Sequence, residues 1–227
     1  MKIHGLQKMT LLDYPGKIAC TVFLAGCDFR CPFCHNSELI TGDAEVIMDD
    51  KELLDFLKKR QGVLEGVAIT GGEPLLRKDI KELLVGIKEL GYPVKLDTNG
   101  NHPAILKELV NEGLVSYVAM DVKNSKERYA QTIGLEEFDI ANVDESINFL
   151  LNSDIDYEFR TTALKELHDE SSFEAIAGWI EGAKNYYIQN FVDRDTVVFD
   201  GLHGFDEEEL KRFSEIVTPH VNKVGIR

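Results

Sequence analysis

The chain has 227 residues, 44% of them hydrophobic, and its 40 acidic against 25 basic side chains leave a net charge of −15. That length supports a full core in one α/β domain, read here over residues 1–227, and acidity spread along the sequence argues against DNA or RNA as a partner. No apolar run approaches a membrane span, and the opening MKIHGLQKMTLLDYPGK lacks the apolar middle of a signal peptide, so a cytoplasmic protein with reduced thiols is expected.

Apolar, β-branched runs alternate with helical patterns along the sequence. Strands are expected at Ile18 to Leu24, Gly66 to Thr70, Pro93 to Thr98, Val115 to Val122, Tyr157 to Ala163, Tyr186 to Phe191 and within NKVGIR near the end. Between them, Leu53, Leu54, Phe56 and Leu57 form a short apolar helical pattern. Ile80, Leu83, Leu84, Ile87 and Leu90 draw a longer stripe, and Val143, Ile147, Leu150 and Leu151 draw another. Trp179, spaced with Ile176 and Ile180, reads as core, and DEEELKR from Asp206 reads as a solvated helix face with acidic residues near its amino end. Strands buried on both faces and separated by helices imply parallel pairing, in an open doubly wound sheet or an incomplete barrel.

Polar motifs fall at the strand ends: TGGEP after the second, DTNG ending the third, DVK ending the fourth, with Arg160 and Thr161 inside the fifth. Ligands of parallel α/β folds bind outside the carboxyl ends of strands, so these motifs describe one rim.

The densest chemistry is GCDFRCPFCHN, which holds Cys27, Cys31 and Cys34. Thiolates suit zinc or iron–sulfur clusters. A closed zinc site wants a fourth ligand; Cys20 reads as a small core residue, and His35 adjoins Cys34 too closely for both to converge on one ion. A 4Fe–4S cube suits three cysteines better, one on each of three irons, with the fourth iron open to something other than protein. Gly71 and Gly72 stand where backbone must approach a ligand, and the Glu73 carboxylate can accept bonds from an ammonium. Asp97 and Asp121, converging at a rim, would repel each other unless a cation or donors satisfied them. A guanidinium inside a parallel strand needs an anionic partner, which for Arg160 is a ligand or a rim aspartate.

C-x-x-x-C-x-x-C after the first strand with G-G-E-P after the second resembles the radical S-adenosylmethionine (SAM) superfamily. The resemblance implies an incomplete (β/α)6-type partial TIM barrel and a 4Fe–4S cluster on Cys27, Cys31 and Cys34. The open iron would chelate SAM, and reductive cleavage would give a 5′-deoxyadenosyl radical. It further implies that Gly71, Gly72 and Glu73 hold the SAM amino group, that the backbone at Phe33 faces adenine with Cys34 in the same cofactor site, and that Lys123 and Arg160 contact SAM. D-T-N-G and D-V-K resemble glycyl-radical activases, in which Asp97, Thr98 and Asp121 would help hold a monovalent cation beside the SAM carboxylate. His35 has two readings, lining the SAM pocket or bonding within the cluster loop, and the late adenosine contacts near Gln189 to Phe191 are unassigned.

CHN after the third cysteine resembles pyruvate formate-lyase activases, and the stretch through DYPGK resembles anaerobic ribonucleoside-triphosphate reductase activating proteins in their longer form. The implied activity is removal of hydrogen from a glycine Cα in that reductase, with flavodoxin or ferredoxin as electron donor. Three alternatives stay open. One is an activase of a pyruvate formate-lyase-like enzyme, another a small-molecule enzyme such as a deazapurine-pathway synthase, and the last a zinc-stabilised binding module.

Overall fold

The computed structural model describes residues 1–197 and 199–227. In chain order it holds β1 (Lys2–Ile3), β2 (Gly5–Thr10), β3 (Ala19–Leu24), β4 (Met48–Asp49), α1 (Asp50–Lys59), β5 (Gly66–Gly71), α2 (Ile80–Glu89), β6 (Val94–Thr98), α3 (Pro103–Asn111) and β7 (Tyr117–Asp121). There follow α4 (Tyr129–Thr132), α5 (Ala141–Leu151), β8 (Asp156–Ala163), α6 (Glu170–Trp179), β9 (Tyr186–Asn190), α7 (Glu207–Val217) and β10 (Val224–Ile226). The chain divides into two compact units. The first comprises Met1–Asp28, Glu38–Thr98 and His102–Val118; the second comprises Phe29–Ser37, Asn99–Asn101 and Ala119–Arg227.

In the first unit the strands run in the order β6, β5, β3, β2. β5 pairs in parallel with both β3 and β6, as continuous apolar strands joined by helices require. β3 and β5 match residue for residue from Ala19 opposite Gly66 to Leu24 opposite Gly71. The cysteine loop and the GGEP turn therefore leave the sheet at the same level. α2 follows its expected stripe, burying Ile80, Leu83, Leu84 and Ile87, each contributing about 1.5–3 kcal/mol. In α1 Leu53 and Leu57 are buried while Leu54 and Phe56 stay half-buried. Asp49 starts that helix, accepting the Glu52 amide while the Glu52 carboxylate accepts the Asp49 amide.

β2 was not expected. It runs antiparallel to β3 and its register slips between Gln7 and Thr10. Most of its side chains are half-buried or exposed, so it carries little of the apolar alternation by which a strand is recognised in sequence.

In the second unit β7 neighbours β8, and β8, β9 and β10 follow in parallel. Tyr157, Phe159 and Tyr186 are buried here. The Tyr186 hydroxyl donates to Thr161 Oγ1 at 2.7 Å, and Thr161 Oγ1 donates to the Val122 carbonyl at 2.7 Å, so these buried hydroxyls keep partners. Phe173 of α6 stacks on Phe213 of α7 with ring centroids 4.3 Å apart. Trp179 is half-buried rather than core, because its indole N–H reaches Asp144 at 2.7 Å. α7 begins with Asp206 capping Glu209 and three glutamates in its first turn, where the helix dipole favours negative charge.

Candidate active site

In the first unit the chain leaves β3 through Gly26, whose φ of +98° lies in the left-handed region that glycine adopts without strain. The Gly26 amide donates to the Leu39 carbonyl at 2.7 Å and the Cys27 amide to the Ile40 carbonyl at 3.0 Å, fixing the first cysteine by its backbone. The GGEP turn lies against this segment. Gly72 N–H donates to the Leu24 carbonyl at 2.8 Å, and Glu73 N–H to the Gly26 carbonyl at 2.7 Å. A Cβ at Gly71 would collide with the Leu24 backbone, and one at Gly72 with the Gly26 carbonyl. Both glycines are required by a close backbone approach within the protein, Gly71 to the end of β3 and Gly72 to the start of the cysteine loop.

The Glu73 side chain is fully buried. Its Oε1 accepts the Thr98 hydroxyl at 2.9 Å and the Leu75 amide at 3.0 Å. Asp97 is ion-paired with Lys95, two residues earlier on the same strand face. Lys95 was absent from the expected site, although a lysine between Val94 and Leu96 in an apolar strand is itself a signal. The His102–Asp28 pair, Nε2 to Oδ2 at 3.0 Å, was also missed; the Asp28 hydrogen bond raises the His102 pKa. Nothing in the spacing of 28 and 102 announces it.

In the second unit Cys31 and Cys34 sit on one turn closed by the Cys34 amide donating to the Cys31 carbonyl at 3.2 Å. The loop is anchored at Arg30, whose amide donates to the Ile133 carbonyl at 2.8 Å. Cys31 packs against a buried apolar cluster of Phe33, Leu164 and Phe191. Burial pushes the Cys31 thiol up to about 11, against the pull of Lys123, and burial raises Cys34 as well. Cys20 is fully buried, its thiol pushed up to about 12 by burial, and belongs to the core as expected.

Asp121 is the anionic hub of this unit. Its Oδ2 accepts Lys123 Nζ at 2.8 Å, and its Oδ1 accepts Arg160 Nε at 2.9 Å, with Arg160 Nη2 also 2.9 Å away. Burial opposes the Asp121 charge, but Arg160 and Lys123 outweigh it and bring the carboxyl down to about 2. Burial likewise opposes the Lys123 charge, and Asp121 more than offsets it, so the ammonium pKa rises. Lys123 Nζ also lies 5.8 Å from the Phe33 ring centroid, within cation–π reach. Beneath it, His168 Nε2 donates to the Lys123 carbonyl at 2.8 Å. Of the two partners open for Arg160, the structure supplies the aspartate.

His35 reaches beyond the cysteine loop. Its ring stacks on Phe191 with centroids 5.5 Å apart, and Nε2 donates to the Val192 carbonyl at 2.7 Å. Ser37 donates to the Thr196 carbonyl. These contacts tie the cysteine loop to the segment after β9 rather than closing the loop on itself. Asn190 is taken up within that segment, donating to the Phe205 carbonyl and accepting its amide, each at 2.9 Å.

The donor set fits an iron–sulfur cluster. A cube takes each thiolate on a different iron, so its sulfurs stand apart. Burial next to Phe33 and Phe191 gives Cys31 the apolar surroundings that shield a cluster from solvent.

The Radical SAM superfamily model matches residues 21–180. A protein of Methanocaldococcus jannaschii named as a glycyl-radical enzyme activating enzyme is 33% identical over 99% of this chain and 95% of its own length. The pyruvate formate-lyase-activating enzyme of Clostridium pasteurianum is 33% identical over 54% of this chain and 52% of its own length. Among solved structures, Streptococcus suis SuiB bound to S-adenosylmethionine superposes with a TM-score of 0.71 at 15% identity. That match covers 91% of this chain and 51% of SuiB, a likeness of fold alone. Among the described residues no helix is long and apolar enough to cross a membrane. With the family model covering most of the chain and a relative aligned from end to end, the protein belongs to the radical SAM superfamily.

Proposed function

We propose that the protein is a glycyl-radical activating enzyme that works on anaerobic ribonucleoside-triphosphate reductase. The observation that carries the activase reading is the 33% identity with the Methanocaldococcus jannaschii activating enzyme over 99% of the chain. The reductase is favoured over a pyruvate formate-lyase-like partner by the amino-terminal GLQKMTLLDYPGK stretch. When bound on Cys27, Cys31 and Cys34, a 4Fe–4S cluster supplies one electron to the sulfonium of SAM, chemistry that ends with hydrogen removed from a glycine Cα of the partner.

The chain's own residues bind and orient. Gly71, Gly72 and Glu73 receive the SAM ammonium, with Thr98 holding the Glu73 carboxylate in one rotamer. Lys123 and Arg160 contact SAM from positions fixed by Asp121; pre-paired charges lose little freedom on binding. Phe33 presents its backbone to adenine, while His35 positions the Phe33–Cys34 loop through Val192. Flavodoxin or ferredoxin is the proposed reductant, and a cytoplasmic location follows from the same reading.

The test is anaerobic reconstitution followed by addition of SAM, reductant and co-expressed reductase, read by electron paramagnetic resonance. A glycyl radical on the reductase is expected. Deoxyadenosine without a glycyl radical on any candidate partner would retire the activase reading.

A further inference from the structure

We propose that Lys95 supplies from within the chain the positive charge that a bound monovalent cation would otherwise bring to Asp97. SAM binding and cleavage then require neither Na+ nor K+. The inference rests on the SAM reading above and adds to it a positioning residue.

Lys95 sits in the middle of β6 and its side chain is 3% exposed. Lysine is almost never buried to this degree unless its charge is paired, because an unpaired ammonium loses its hydration for nothing. Val94 and Leu96 flank it and are buried, so the apolar strand offers no reason of its own for a cation here. Strand alternation puts residues 95 and 97 on one face, and the lysine stem carries Nζ along that face to Asp97 at the carboxyl end of β6, where the pair forms. An ammonium carries the same unit charge as an alkali ion, is close to K+ in size, and offers three donors to oxygen. Being tethered, it loses no translational freedom when it neutralises the carboxylate.

The other carboxylate expected to share such an ion is satisfied in its own unit. Asp121 accepts both Lys123 and Arg160, at 2.8 and 2.9 Å, so a cation arriving there would meet a surplus of positive charge. The two aspartates were expected to need a cation or donors between them; each has donors of its own. The residues do not fit an added alkali ion.

The test uses the reconstituted protein with SAM in choline, sodium and potassium buffers of equal ionic strength. For the wild type, SAM affinity by equilibrium dialysis and deoxyadenosine formation are expected to be the same in all three. The ²³Na resonance should broaden no more than with bovine serum albumin. Lys95→Met should bind SAM at least roughly tenfold more weakly in choline, recover part of the loss in K+ or Na+, and broaden the ²³Na line, because the vacated position then holds the ion. Rescue by an alkali ion is a response that a merely structural lysine would not give. Lys95→Arg should keep the wild type's indifference to salt.

A wild type whose SAM affinity falls tenfold in choline, or whose ²³Na broadening is reversed by K+, would overturn the proposal. That arm decides even if Lys95→Met fails to fold. Absence of SAM binding in every salt would instead remove the SAM reading and this proposal with it, an outcome distinct from salt-dependent binding.

Discussion

Replacing Asp121 by Asn leaves Lys123 and Arg160 facing a neutral amide in the second unit. Lys123 and Arg160 side chains are 14% and 12% exposed, and that of Asp121 is 27% exposed, so water screens the pairs poorly. The fall of the Asp121 carboxyl from 3.8 to about 2 corresponds to about 2.5 kcal/mol in favour of the charged, paired form. Repulsion between the two cations adds to this, for a total of about 3 kcal/mol. In a chain of this size that lowers Tm by about 6–12 °C. Because folding lowers this carboxyl's pKa, its stabilisation is complete above the ordinary Asp range and is lost as pH falls through the folded value near 2. Urea titrations of wild type and Asp121→Asn, both without cluster, should therefore differ by a constant amount from pH 7 down to about 4.5 and converge below it. A difference under about 0.5 kcal/mol at pH 7, or one that widens in acid, would refute the ion-pair account.

Three further outcomes follow from the same geometry. Arg227 grips Glu158, whose side chain is 1% exposed, through two bonds of 2.9 and 3.0 Å; Arg227→Met should cost about 2 kcal/mol in urea, and adding Glu158→Gln should restore part of it. Gly72→Ala would push a methyl group into the Gly26 carbonyl, so iron uptake on anaerobic reconstitution should drop while the circular dichroism spectrum stays that of the wild type. Under native alkylation Cys20 should remain unmodified by mass spectrometry, and Cys20→Ala should keep its full iron content, whereas alanine at Cys27, Cys31 or Cys34 should abolish SAM cleavage.

Much of this was legible because burial writes itself into sequence. The seven expected strands all formed to within two residues at either end, since apolar β-branched runs leave few other structures open. α2 and α5 buried the stripes that marked them, apart from Leu151, which stays half-buried, and Leu90, which caps α2. The site motifs were legible for a different reason: cysteines in a tight loop and paired glycines at a strand end have few uses. Pairings between side chains distant in sequence were not legible. Arg160 to Asp121 was foreseen as one of two options, because both lie near strand ends and carry opposite charge. His35 to Val192, 157 residues apart, depends on how the segment after β9 returns to the cysteine loop, and no local pattern encodes that return. Lys95 stands in VKLDT beside Asp97, the charge that the strand-end motif marked, and apolar alternation alone gives no sign that a lysine there is buried and paired.

Ligation by Cys27, Cys31 and Cys34 alone would leave the fourth iron of a 4Fe–4S cluster open to SAM. Mössbauer spectroscopy of ⁵⁷Fe-reconstituted protein, recorded with and without SAM under anaerobic conditions, addresses this directly. One iron in four should change its isomer shift and quadrupole splitting when SAM is added, while the other three keep theirs. Four irons indifferent to SAM, or a colourless protein that retains zinc in place of iron, would contradict it.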